Sequence, residues 1–114
     1  MAQYGLAGLA YDNRGAGASD GDCKTTTIET ESRDIRAALQ ALADRAAIDA
    51  ERIGLWGNRA AGWYVPHAAT RSDVPVAFIV TKVGPATSVE AQQKDNASYI
   101  ARDMGLAPAD SAKM

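Results

Sequence analysis

A small α/β domain is predicted, with a short three-stranded parallel sheet in the order β-α-β-α-β and a C-terminal helix. Three observations predict it. Short apolar runs alternate along the 114 residues with longer amphipathic stretches, at connection lengths suited to βαβ units. The run at residues 76–83 is apolar almost throughout instead of alternating, the pattern of a strand covered on both faces. A balance of 46% hydrophobic to 23% charged residues, with 10 Gly and 4 Pro, excludes disordered, fibrous and low-complexity classes.

Taken in order, Leu6-Ala-Gly-Leu-Ala-Tyr11 reads as the first strand, followed by the glycine-rich turn Asn13-Arg-Gly-Ala-Gly17 and polar residues through Thr27. A helix follows, since Thr26 and Glu29 stand at capping-box spacing and Ile28, Ile35, Leu39, Leu42 and Ala46 recur at helical spacing. Arg52-Ile-Gly-Leu-Trp-Gly57 is the second strand, and residues 60 to about 72 form a second helix that Pro66 should kink or end early. Beyond the third strand, residues 88–104 are helical, with Val89, Ala97, Ile100, Ala101 and Met104 on one stripe. Gly105 and Pro108 stop that helix, and the residues after it are expected to be loose.

Charge and composition remove several functions. Twelve Lys plus Arg against fourteen Asp plus Glu give a net charge of −2, with no basic run, so no nucleic-acid partner is expected. No apolar stretch approaches the roughly 20 residues a bilayer requires, so no membrane span is expected. The start Met1-Ala-Gln-Tyr-Gly5 lacks a signal-peptide pattern, and the lone Cys23 has no internal disulfide partner; a cytoplasmic setting is the expectation. One histidine and one cysteine leave no structural zinc set, and the spacing of Asp12, Asp20 and Asp22 matches no calcium or magnesium loop. No metal or cofactor is expected. Asp12 should accept hydrogen bonds from turn N–H groups, Arg14 and Ser19 should stabilise the same turn, and Asp20 and Asp22 should be solvated. Trp56, Trp63 and Tyr64 are read as packing residues.

The segment Leu9-Ala-Tyr-Asp-Asn-Arg-Gly-Ala-Gly-Ala-Ser19 resembles the Y-D-x-R-G-x-G-x-S turn that precedes the second helix in α/β-hydrolase esterases and peptidases of the dienelactone-hydrolase and prolyl-oligopeptidase type. Asp49-Ala-Glu-Arg-Ile-Gly-Leu-Trp-Gly-Asn-Arg-Ala-Ala-Gly-Trp63 is similar to the same family's approach to its nucleophile elbow, G-x-S-x-G-G. The resemblance covers nearly the whole chain and implies a single truncated α/β-hydrolase-like domain over residues 1–114, a partial core of that fold.

The departures decide the chemistry. The elbow normally carries a serine on a sharp strand-to-helix turn, and here Arg59 stands in that position. A guanidinium stays protonated and has no lone pair for attack, which closes the acyl-enzyme route. The family's acid and histidine, which come later, are missing as well. His67, eight residues past Arg59, and Cys23, in a polar turn without a nearby histidine, are read as a surface or half-buried histidine and an inert thiol. What survives is a place for an anion. The N–H groups of Arg59, Ala60 and Ala61, next to Asn58, would lie at a helix N-terminus, and Arg14 would face the same crevice.

Two functional readings follow. One is a self-associating or anion-binding module without serine-hydrolase chemistry. The alternative is a hydrolase of esters or phosphoesters that uses activated water, with Arg59 and the helix N-terminus stabilising negative charge. An excised fragment with no role of its own is a third possibility. A homodimer is expected, because both helices that follow the right-handed crossovers would lie on one sheet face, leaving the other face and the outer edges uncovered.

Overall fold

Thr27, not Thr26, opens the first helix. A 3₁₀ turn at Cys23–Thr25, capped by Asp22, engages the Thr26 hydroxyl on the Asp22 carbonyl, so the cap falls one residue later. In the computed structural model, which describes residues 2–106, the Thr30 N–H donates to Thr27 Oγ1 at 3.2 Å and the Thr27 N–H donates to Thr30 Oγ1 at 2.8 Å. This closes a capping box around helix α1, Ile28–Ala43. The helix stops at Asp44, whose N–H reaches the Gln40 carbonyl. Ala46, read as the last member of the apolar stripe, therefore lies beyond α1 in a turn closed by the Ile48 N–H on the Arg45 carbonyl.

Strand β1, Gly54–Asn58, pairs in parallel with strand β2, Phe78–Lys82, in a register that sets Gly54 opposite Phe78 and Asn58 opposite Lys82. The ladder is extended by the Ala77 N–H on the Ile53 carbonyl at 2.8 Å and by the Arg59 N–H on the Lys82 carbonyl at 3.0 Å. Arg52 belongs instead to a 3₁₀ turn, Ala50–Arg52, capped by Asp49. Two glycines make the strand's neighbours possible: a Cβ at Gly54 would strike the Phe78 ring, and one at Gly57 would strike the Ala61 methyl. Helix α2, Ala61–Ala69, connects the two strands and continues three residues past Pro66.

Helix α1 packs on α2, and α2 packs on both strands. Leu39, Ile53 and Val74 are buried at the centre of an apolar cluster that Ile35, Leu42, Ile48, Leu55 and Val76 surround. Val65 and Ala68 on α2 are buried as well.

A mixed α/β arrangement is thus present, but three expectations are corrected. Among the described residues the sheet has two strands, not three, because residues 6–11 enter no ladder and are exposed throughout. A strand exists only with a neighbour, and β2 occupies just one edge of β1. Nor is the third apolar run covered on both faces: all five residues of β2 are exposed, including Phe78, Ile79 and Val80. Trp56 is 66% exposed and does not pack in the core.

The chain falls into two compact units, Met1–Gly84 and Pro85–Met114. The second contains helix α3, Val89–Asp103, capped by Ser88, whose hydroxyl accepts from the Ala91 N–H at 3.2 Å. Gly105 follows at φ +70°, and the Leu106 N–H returns to the Ala101 carbonyl, the left-handed ending that glycine favours. Pro108 and the segment expected to be loose lie outside the described residues.

Candidate functional site

β1 runs into α2 through one residue of unusual backbone, Arg59, at φ +55°. Left-handed backbone is rare for a side chain as large as arginine and is held here by its surroundings. The Arg59 N–H is tied to the Lys82 carbonyl, while the Arg59 carbonyl accepts from the Gly62 N–H at 2.9 Å. The strand end, the turn and the helix start are thus locked together.

An open groove of about 1340 Å³ passes this turn. Its lining brings together all five sequence-predicted residues: Arg14, Asn58, Arg59, Ala60 and Ala61. Residues 6–11, the apolar stripe of α1 and all of β1 line it as well.

Two of the expected anion donors are committed elsewhere. The Arg59 N–H is used by the ladder, which leaves the N–H groups of Ala60 and Ala61 as the open donors of the turn. The Arg14 side chain forms a forked pair with Asp34 of α1, Nε to Oδ2 at 2.6 Å and Nη2 to Oδ1 at 2.7 Å. That pair fastens the glycine-rich turn to the helix and neutralises the guanidinium, so Arg14 is a tether and not a free cation.

The turn itself behaves as expected. The Asp12 carboxylate accepts from the Ala18 N–H at 2.9 Å, and the Ser19 hydroxyl donates to the Asp12 carbonyl at 2.6 Å. Gly17, at φ +53°, lies so close to the Asp12 carboxylate that a Cβ would overlap it. Asp22 is not simply solvated: it accepts from the Lys24 N–H at 2.8 Å. Among the described residues no group of three or more His, Cys, Asp or Glu is placed to hold a metal ion. No helix there is long and apolar enough to cross a membrane.

Sequence reasoning missed the groove's acid. Glu31, on α1, is 6% exposed and lines the groove. Its pKa is raised above the ordinary value, first by burial and then by the nearby Asp34 charge, with Arg14 pulling the other way. Burial, and after it the charges of Glu31 and Asp34, raise the Tyr11 hydroxyl too. The signal was present in the sequence. Glu31 stands one helical turn before Ile35, where the apolar stripe calls for a hydrophobic residue.

His67 and Cys23 differ in their relation to the groove. His67 is half-buried on α2, with Nε2 3.7 Å from Glu29 Oε2 and Nδ1 buried without a partner, and it is not part of the groove lining. Cys23 lines the groove as a free, exposed thiol.

The chain is similar to two Escherichia coli proteins, each described as an uncharacterized 31.7 kDa protein in the traX-finO intergenic region. One is 30% identical over 103 residues, covering 86% of this chain and 36% of that protein. The other is 29% identical with the same coverage. The chain therefore spans about a third of the length of these curated relatives. No family model matches the chain, and no solved structure does.

Proposed function

We propose that this chain is a self-associating, α/β-hydrolase-like module in which Arg59 stands at the elbow position of the nucleophile. One observation carries the reading: every residue of β2 is exposed, with Phe78, Ile79 and Val80 at 55%, 40% and 47%. Trp56 on the paired strand adds a further exposed indole. Parallel strands are rarely left facing water, and contiguous apolar patches of this kind mark association surfaces. The left-handed strand-to-helix turn at Arg59 supports the hydrolase-like part of the proposal, since a strained elbow is that fold's hallmark. An exposed Cys23 without a disulfide suits a reducing cytoplasm. Light scattering on the purified chain at micromolar concentration tests the proposal. A homodimer is the expected result, and a stable monomer of 12.0 kDa overturns it.

A second reading is favoured by the open N–H groups of Ala60 and Ala61 at the start of α2. These donors sit beside the Arg59 guanidinium and suit a small anion such as phosphate. The same arrangement would stabilise negative charge on an ester or phosphoester attacked by water, the enzymatic alternative. Phosphate titration followed by amide chemical shifts should perturb residues 58–62 first. Shifts concentrated elsewhere would remove the reading.

A further inference from the structure

We infer that Val83 is a positioning residue for the turn at Arg59, and that the two residues form one backbone lock on the passage from β1 into α2. The consequence for an anion rests on the reading of the Ala60 and Ala61 N–H groups given above; the lock does not.

Among the described residues, Arg59 at φ +55° and Val83 at φ +54° are the two non-glycine residues in left-handed backbone. A β-branched side chain is an outlier there, because its Cβ crowds the following carbonyl oxygen, so Val83 keeps this conformation only where its surroundings impose it. The two positions are not scattered. β1 and β2 pair in parallel as far as Asn58 opposite Lys82, and the next residue on each strand is Arg59 and Val83. Both segments leave the ladder at the same step, with the same reversal of φ.

Contacts on both sides of Val83 tie the pair together. The Lys82 carbonyl, just before it, accepts the Arg59 N–H at 3.0 Å. Just after it, the chain passes so close to the start of α2 that a Cβ at Gly84 would stand 3.2 Å from Gly62 Cα, and 3.2 Å from Thr81 Cβ as well. Gly62 in turn donates its N–H to the Arg59 carbonyl at 2.9 Å. Arg59 is therefore held at its N–H by Lys82 and at its carbonyl by Gly62, and residues 82–84 reach both holds.

This geometry accounts for a left-handed valine. An extended residue 83 would carry the chain onward along the strand direction, whereas the left-handed one turns Gly84 against α2. The aim of the Ala60 and Ala61 N–H groups depends on the same turn. Each peptide plane is rigid, so the dihedral angles of Arg59 and Ala60 alone set where those donors point relative to β1. Without the loop at residues 82–84, Arg59 is free to return to the backbone regions that a side chain of its size prefers, and both donors are re-aimed.

Amide hydrogen exchange and the intraresidue HN–Hα cross-peak of Arg59, which is strong at positive φ, test the lock on the full chain with Val83→Pro and Val83→Gly as a pair. Proline cannot take left-handed backbone, whereas glycine takes it freely. The proline removes no bond to β1, since the Lys82 carbonyl points to Arg59 and the N–H of residue 83 lies trans to it across the same peptide plane. Val83→Pro should keep its helix content while Arg59 loses the strong cross-peak and its amide exchanges at least about tenfold faster. Val83→Gly should keep both signatures. Gly84→Ala, whose Cβ would press on Gly62, should release Arg59 in the same direction and covers the case in which the proline variant fails to fold. Phosphate titration should show Val83→Pro weakened at least about threefold at residues 58–62, with Val83→Gly unchanged. An Arg59 cross-peak and protection that persist in Val83→Pro overturn the lock, as does a Val83→Gly variant that releases Arg59 as far as the proline does. If Val83→Pro frees Arg59 yet binds phosphate like the wild type, the lock stands and its consequence for the anion falls. A wild type that binds no phosphate removes the anion reading alone, and the Arg59 signatures still decide the lock.

Discussion

Glu31 is the one charged side chain buried among the described residues. At 6% exposure it has few waters to solvate it, and burial leads the causes that raise its pKa, ahead of repulsion from Asp34. The unfolded chain releases this proton in the ordinary glutamate range, while the folded chain holds it to higher pH. Below the ordinary value both states are protonated and the group contributes nothing to the balance. As pH rises through that value towards the raised one, the unfolded state ionises first and folded stability falls, and above the raised pKa the loss is complete. Glu31→Gln keeps the side chain's shape without the charge. It should stabilise the protein at neutral pH and flatten the decline that begins in the ordinary glutamate range. Urea midpoints measured across pH would show it; a variant profile parallel to the wild type would show that Glu31 is not the source. The position was legible as a polar intrusion on an apolar stripe. Its closeness to Arg14 and Asp34 was not, because the forked pair joins residues 20 apart in sequence.

At the scale of elements, the sequence was most informative where local chemistry governs and least where pairing does. The helix over residues 28–43 follows from its stripe and threonine cap, and only the choice between adjacent threonines needed the Asp22 turn to settle it. Ser88 and Gly105 likewise bound α3 as their chemistry dictates. Residues 6–11 have a strand's composition but no strand, since β pairing depends on a neighbour that local pattern cannot supply. The apolar run of β2 announced burial on both faces, yet all five residues of the strand are exposed even though α2 packs on it. Among the candidate site residues, the groove gathers all five, as the strand-turn-helix motif suggested. What spacing could not reveal was that Lys82 would take the Arg59 N–H and Asp34 the Arg14 guanidinium.

For the whole molecule, the proposed self-association would make folding and association one problem, because a small core stands beside a large exposed apolar surface. Within Met1–Gly84 the buried apolar side chains are Leu39, Ile53, Val65, Ala68 and Val74. Meanwhile Leu6, Trp56, Phe78 and Val80 remain 58%, 66%, 55% and 47% exposed. A protein stabilised by pairing with its own copy gains apparent stability by mass action as concentration rises. Each tenfold increase should add about 1.4 kcal/mol per dimer and raise the midpoint of thermal unfolding by about 3 °C. Scanning calorimetry between about 1 and about 100 µM provides the measurement, and the midpoint should climb with concentration. A wild-type midpoint independent of concentration would mean that the exposed strands are tolerated by a chain that folds alone.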